Sequence, residues 1–332
     1  MNKTIIFRAD ASPSIGMGHF IRSLALAEIL NEHFHCIFAT CNPSAYQIAE
    51  IKKICHERID LPEDDSHFNL FLNQLRGNEI VVLDNYYFDT NYQRAIKNKG
   101  CKLVCIDDIH DKHYVADIVI NHAEGVKKTM YSVEKNTKLL LGFKYALLRN
   151  NFLMAARQER VKFNNNISIF INLGGSDPEE LLIKATNTFL KHPAIKEVNL
   201  ISKLALNILD NQHNKKVNQY WNLSAKELSS IMLQSDIGFL PASTVSIEAC
   251  ACRLPFIGGW FVENQKNLYK AIINNGLAIG IDNINNFSDE ILFKAISEIT
   301  KKEVALSIQS HQKKIIDGKS NYRILNVIKN IC

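Results

Sequence analysis

Phe7-Arg8-Ala9-Asp10-Ala11-Ser12-Pro13-Ser14-Ile15-Gly16-Met17-Gly18-His19-Phe20-Ile21-Arg22 is the stretch on which the reading of this chain turns. A short apolar strand, residues 4–7, breaks into a loop holding Pro13, Gly16 and Gly18. The loop runs into a segment where Ile21, Leu24, Ala25 and Ile29 recur at helical spacing. Strand, glycine loop and helix in that order make an anion site. The glycines let the backbone approach a ligand closely, and the first free amides of the helix point at negative charge. His19 stands at the helix entrance. A neutral imidazole beside a phosphate-binding loop can act as a base near a leaving diphosphate.

Outward from this stretch, strand-like runs at 36–40, 80–84, 102–107 and 118–121 alternate with helix-like runs at 45–54, 68–75 and 91–99. The pattern restarts at 167–173 and continues through 198–202, 217–221, 237–240 and 255–258. Helical runs intervene at 178–190, 226–233, 245–252 and 264–273. Alternation of this kind implies an α/β protein with parallel sheets covered by helices. Two such halves imply two domains, each with ligand loops at the carboxyl ends of its strands. The boundary is expected within 149–166, with a polar break at Asn164-Asn165-Asn166. The first domain is then 1–155 and the second 156–319. A last helix near 322–331, within 320–332, is expected to cross back to the first. No internal repeat or low-complexity stretch is visible, and 283–286 reads as an ordinary asparagine-rich loop.

Composition sets the broad class. The 332 residues favour two domains, and 46% hydrophobic with 22% charged residues describes an ordinary soluble protein. Lys+Arg 39 against Asp+Glu 34 gives +5, a mild excess without a long basic run. That suits an anionic small molecule as well as a membrane surface, and no nucleic-acid partner is expected. No apolar run approaches the roughly 18 residues of a membrane helix, and the N-terminus meets a charge at Arg8, too early for a secretory signal. A cytoplasmic monomer is expected. The 8 cysteines lack Cys-x-x-Cys spacing and read as reduced packing residues.

Three further segments carry chemistry. Asn172-Leu173-Gly174-Gly175-Ser176-Asp177-Pro178 lies between a strand and a helix. Its glycines permit close approach, and Ser176 or Asp177 can cap the helix with Pro178 at its first position. A tight strand-to-helix turn is the plainer alternative. In Leu240-Pro241-Ala242-Ser243-Thr244-Val245-Ser246-Ile247-Glu248, Ser243 or Thr244 opens a helix and offers hydroxyls and free amides to a phosphate. Glu248, one turn after Thr244, can accept both hydroxyls of a ribose; the alternative is a capped helix with a surface glutamate. Asn264 and Gln265 follow the next strand and can bond a sugar's polar groups. In Val82-Leu83-Asp84-Asn85-Tyr86-Tyr87-Phe88-Asp89, again at a strand end, Asp84 and Tyr86 can orient the histidine, position a water or contact substrate, and Asp89 can cap a helix. The run Asp107-Asp108-Ile109-His110-Asp111-Lys112-His113 has metal-like composition. It is read instead as a solvated, capped loop, because ligands must converge and Lys112 sits among them. No metal and no cofactor are expected.

These motifs together resemble a known family. Gly16-Met17-Gly18-His19 with Arg8, Asp10 and Arg22, then Asp84-x-Tyr86, Leu148-Arg149, Gly174-Gly175-Ser176-Asp177-Pro178, Thr244-x-x-x-Glu248 and Asn264-Gln265, look like the UDP-2,4-diacetamido-2,4,6-trideoxy-beta-L-altropyranose hydrolases of pseudaminic acid biosynthesis. The likeness runs from about residue 4 to 277, and the tail beyond carries no matching motif. That family is similar in fold to the lipid-linked cell-wall N-acetylglucosaminyltransferases, so the resemblance implies two Rossmann-like domains of GT-B type facing across a cleft. It implies that water replaces UDP at the anomeric carbon of a UDP-sugar, with inversion and carbon–oxygen cleavage. It implies His19 as general base, Tyr86 and Asn264 beside it, and the second-domain loops with Glu248 as the UDP site.

The residues support one part of this independently. Ordinary inverting glycosidases need two carboxylates, one to protonate the leaving alkoxide. A diphosphate leaves without that help, and helix termini and loop amides can stabilise its growing charge. One histidine is then sufficient. The rival readings are a UDP-sugar-dependent glycosyltransferase on the same fold, using an acceptor hydroxyl in place of water, and a non-catalytic sugar-nucleotide binder, which has no need of a histidine at the phosphate loop.

Overall fold

The computed structural model describes residues 3–11, 16–160, 167–174, 178–208 and 215–332. The chain divides into two compact units, Met1–Asn150 with Lys319–Cys332, and Asn151–Gly318. The polar break at 164–166 lies outside the described residues, as do Ser12, Pro13, Gly175, Ser176 and Asp177.

The first unit runs β1 (Thr4–Ala9), α1 (Gly18–Leu30), β2 (His35–Cys41), α2 (Ala45–Ile54), β3 (Glu57–Leu61), α3 (Ser66–Gln74), β4 (Ile80–Asp84), α4 (Thr90–Asn98), β5 (Lys102–Ile106), β6 (His113–Tyr114), β7 (Ile118–Asn121), β8 (Ser132–Val133) and β9 (Lys138–Leu141). Seven strands form one sheet in the order β3-β2-β1-β4-β5-β7-β9, and β6 pairs with β8 apart from it. The pairs in the large sheet are parallel. The chain turns one way from β1 to β2 and the other way to β4. That reversal opens a crevice at the carboxyl ends of β1 and β4, where ligands bind in sheets of this kind.

Both faces of this sheet are covered, so its strands read as continuous apolar runs. Ile5, Phe7, Val82 and Ile80 face α1, whose Phe20, Leu24 and Leu30 are fully buried in the same cluster. Ile6, Val81 and Leu83 face the other way, onto Phe71, Phe88 and Ile96. The sequence expectation omitted β3, Glu-Arg-Ile-Asp-Leu, because an edge strand carries charge on the side that faces water.

The second unit runs α5 (Asn150–Ala156), β10 (Ile167–Ile171), α6 (Glu179–Lys191), β11 (Ile195–Ile201), β12 (Lys216–Tyr220), α7 (Ala225–Gln234), β13 (Ile237–Pro241), α8 (Thr244–Ala251), β14 (Phe256–Trp260), α9 (Lys266–Asn274), β15 (Ile279–Asn283), α10 (Asp289–Ile299) and α11 (Lys302–Ile315). Its sheet has the order β12-β11-β10-β13-β14-β15, again with parallel pairs. The reversal falls between β10 and β13. The expected ordinary loop at 283–286 is instead a 3-10 turn that buries Ile284 completely. Arg253, with φ 54°, is held entirely by carbonyls: those of Cys250 and Gln312 on one nitrogen, and of Ala156 and Ile316 on the other.

The final helix, α12 (Ser320–Lys329), belongs to the first unit. Its Ile324 and Ile328 are fully buried in the core that holds Ile5, Phe7 and Phe38, and Ser320 donates to the carbonyl of Ala146 at 2.7 Å.

Candidate functional site

The crevice between β1 and β4 is built by three short stretches. Gly16 has φ 81°, the left-handed region that favours glycine, and a side chain at Gly16 or Gly18 would meet nothing within 4 Å. Among the described residues these two positions therefore face open space. Helix α1 starts at Gly18 with no side-chain cap and no acidic residue in its first turn, so its leading amides are left for another partner. His19, Arg22 and Ser23 lie three and four residues apart on one face of that helix. Asp84, the last residue of β4, lies opposite Ala9 in the sheet and meets that face.

The contacts are short and buried. Asp84 accepts from His19 Nδ1 at 2.6 Å, from Arg22 Nε at 2.7 Å, from Arg22 Nη2 at 2.6 Å and from Ser23 Oγ at 3.0 Å. Arg22 Nη2 also lies 3.0 Å from His19 Nδ1. The ring nitrogen cannot both donate to Asp84 and accept from Arg22. Nδ1 donates to the charged, nearer carboxylate, and the longer separation follows from both groups meeting the same Oδ1. This fixes the tautomer with Nδ1 protonated and leaves Nε2 as the acceptor. Burial alone would raise the Asp84 pKa, but Arg22 and His19 outweigh it and hold the carboxyl below its ordinary range. Burial would likewise lower Arg22, yet Asp84 and Asp108 raise it well above its ordinary value. Asp84 is thus an ionised group whose acceptor positions are already filled, suited to orient the histidine rather than to attack or deprotonate.

A second tier surrounds this pair. Arg22 Nη1 donates to Asp108 Oδ2 at 2.7 Å, and Tyr86 OH reaches the same oxygen at 3.2 Å. The Tyr86 ring stands edge-on to His19, with centroids 4.6 Å apart and planes at 84°. A cavity beside them is lined by His19, Arg22, Tyr86, Asp108 and Lys112 among others. Sequence reasoning missed Asp108 in this role. The run Asp107–His113 is a capped loop, with Asp107 accepting from the Ile109 and His110 amides, but it is less solvated than expected, because both its leading carboxylates are drawn into hydrogen-bond networks. Asp107 is buried and accepts from Tyr114 OH at 2.6 Å and Tyr131 OH at 2.7 Å. Among the described residues no three His, Cys, Asp or Glu side chains converge as a metal site requires. His122, just past the end of β7, was also missed. Burial, reinforced by Arg22, lowers its pKa to about 4.

Other expected residues fall elsewhere. Arg8 is completely buried, bonding Asp10 at 2.6 Å and facing His67 Nδ1 at 3.0 Å, so its guanidinium braces Asp10. Asp10 is committed in the same way. It accepts from Arg8, from Thr40 Oγ1, from the Cys41 amide and from Tyr87 OH. Arg149 is buried and acts on Glu28, in the second half of α1.

In the second unit, the strand ends at the reversal meet. Asn172 Oδ1 accepts from the Gly174 amide at 2.7 Å, and Gly174 has φ 80°. A side chain at Gly174 would lie 3.8 Å from Ser243 Oγ and from Pro241. The structure therefore brings the 172–174 turn beside Ser243; Gly175 lies outside the described residues. Thr244 opens α8 behind Ser243, whose side chain makes no cap bond. Glu248 is not a surface glutamate: α8 is buried on all sides and Glu248 is 3% exposed. Asn264 is exposed beyond β14, while Gln265 Oε1 accepts from the Phe261 amide at 3.0 Å. All eight cysteines are free, and Cys36, Cys55, Cys101, Cys105, Cys250 and Cys252 are buried.

No protein-family model matches the chain. It is 23% identical over 337 residues to the spore coat polysaccharide biosynthesis protein SpsG of Bacillus subtilis, covering 97% of each chain. It is 24% identical over 278 residues to the UDP-2,4-diacetamido-2,4,6-trideoxy-beta-L-altropyranose hydrolase of Campylobacter jejuni, covering 83% of this chain and 98% of that one. Among solved structures it resembles MurG of Acinetobacter baumannii, with a TM-score of 0.69 at 10% identity over 99% of this chain and 100% of the other. Among the described residues no helix is long and apolar enough to cross a membrane. The chain has the α/β fold of the GT-B type, with two Rossmann-like units, and is similar in sequence to the diacetamido-trideoxy-altropyranose hydrolase.

Proposed function

We propose that this chain is a sugar-nucleotide enzyme that hydrolyses a UDP-linked diacetamido-trideoxyhexose to UDP and the free sugar. The carrying observation is the His19–Asp84 pair: one ring nitrogen is bound to a buried ionised carboxylate and the other is left to accept a proton. In the proposed step, water gives a proton to His19 Nε2 while its oxygen attacks the anomeric carbon. The bond from that carbon to the β-phosphate oxygen breaks on the opposite face, and its electron pair leaves with UDP. The configuration inverts. Asp84 stabilises the imidazolium as it forms, and the uncapped start of α1 offers amides to the growing phosphate charge.

The names of the two relatives, one a hydrolase of a UDP-diacetamidosugar and one a spore coat polysaccharide biosynthesis protein, support a sugar-nucleotide substrate. We assign the UDP to loops of the second unit: the Asn172–Gly174 turn, Ser243, Thr244, Asn264 and, on the ribose, Glu248. Incubating the protein with the UDP-diacetamidosugar in water, without acceptor, and following UDP release tests the reading. Stoichiometric UDP and inverted free sugar are expected. UDP release only when an acceptor hydroxyl is added would make the protein a glycosyltransferase.

A further inference from the structure

The loop after β5 holds two residues that the hydrolytic step does not itself require, Asp108 and Lys112. Lys112 is an unusual lysine, with a side chain only 15% exposed. Lysine is rarely withdrawn from water without a partner. Its Nζ donates to the main-chain carbonyl of Tyr86 at 2.7 Å and stands 3.5 Å from Asp111. Asp108 takes the other end of the same tyrosine, accepting from Tyr86 OH at 3.2 Å while it holds Arg22 at 2.7 Å. Tyr86 is thus gripped at its carbonyl and at its hydroxyl, with its ring against His19.

That grip answers a geometric problem. A single hydrogen bond from Nδ1 to Asp84 fixes the tautomer but leaves the imidazole free to swing about the bond axis. A wall against one side of the ring removes the swing and aims Nε2 at one place. The geometry points to Lys112 and Asp108 as positioning residues that hold Tyr86 against His19, and through it the direction of the base. This rests on His19 being the base of the proposed hydrolysis.

The test uses Lys112→Met, which keeps the aliphatic stem, and Lys112→Arg, which keeps a donor. Turnover, KM, UDP affinity and the NMR resonances of the His19 ring protons, which sense the Tyr86 ring, are measured on the full chain. Lys112→Met is expected to move the ring-proton resonances and to lower kcat by about tenfold, with KM and UDP affinity unchanged, since small misplacements of a reacting group cost rate. Lys112→Arg is expected to return both toward the parent. Parent-like resonances and kcat in Lys112→Met overturn the proposal. So does a loss of UDP affinity with kcat kept, which would make Lys112 a nucleotide contact. A parent without turnover overturns the hydrolytic reading, and the resonances then decide the positioning of His19 alone. If Lys112→Met fails to fold, Tyr86→Phe serves. It keeps the ring and carbonyl but loses the Asp108 bond, and unmoved His19 resonances there count against the grip.

Discussion

Asp84→Asn tests the histidine–carboxylate pair at its most exacting point. Asp84 receives four donors, from His19, twice from Arg22 and from Ser23, and an amide has one acceptor oxygen where the carboxylate has two. If the new NH2 faces His19, the imidazole must turn over its protonation, placing hydrogen on Nε2 and abolishing the base. If it faces the other side, it opposes Arg22 Nε, a donor that cannot reverse. Either way a buried guanidinium loses part of its counter-charge. Asp108 still holds Arg22 at 2.7 Å, so the destabilisation should lie near the low end for a broken buried pair, about 2–3 kcal/mol. Turnover should fall by roughly 10²–10⁴, the range lost when a general base or its correct tautomer is removed. UDP affinity should hold. The assay is UDP release at saturating UDP-diacetamidosugar without acceptor, beside calorimetric UDP binding and a melting curve. The double variant with His19→Asn should be no slower than the slower single, because the two act as one unit. A folded Asp84→Asn that binds UDP normally and turns over within about tenfold of the parent would refute the reasoning.

His19→Asn should itself lower turnover by about 10²–10⁴ with UDP affinity nearly intact, and a residual rate above about a tenth of the parent would remove His19 as base. Glu248→Gln should weaken UDP binding by roughly ten- to a hundred-fold, seen as a raised KM with little change in kcat; the reverse pattern would place Glu248 at the reacting centre. His122 is held at about 4 against an ordinary 6.5. The unfolded chain therefore binds the extra proton first, and the stability His122 contributes above pH 6.5 is lost as pH falls toward 4. Up to about 3 kcal/mol is at stake in that window, and chemical denaturation of the parent against His122→Gln at pH 7 and pH 5 should reveal it as a flatter pH dependence in the variant. Arg253→Met should destabilise the fold by about 3 kcal/mol, read as a lowered melting temperature, because it removes the guanidinium donors of the Ala156 and Ile316 carbonyls and one of the donors to those of Cys250 and Gln312; UDP-binding measurements at low temperature separate this from a loss of function.

The opening stretch was legible because it is local: a strand, two glycines and an apolar period within sixteen residues need no long-range contact to interpret. Asp84 was legible as a strand end, since strand ends at a reversal point collect ligand groups. Asp108 and Lys112 were not, because their meaning depends on β5 lying beside β4, a pairing that no spacing along the chain encodes. For Glu248 it is only the alternative of a surface glutamate that fails, and the signal against it was in the sequence. Its neighbours Val245, Ile247, Ala249, Cys250 and Ala251 are apolar all round the helix, which marks a helix buried on every face. Edge strands such as β3 fail the apolar test by design, since a charged edge discourages pairing with other chains.

The place of α12 has a consequence for how the protein comes into being. Ile324 and Ile328 complete the core around Ile5, Phe7 and Phe38, yet every residue of the second unit is synthesised between those two groups. The second unit is continuous from Asn151 to Gly318 and can close as soon as it leaves the ribosome. The first must wait, with part of its apolar surface uncovered, until the last helix arrives. During translation the half made first is the half finished last, and its exposed face is where chaperone binding or premature aggregation would be concentrated.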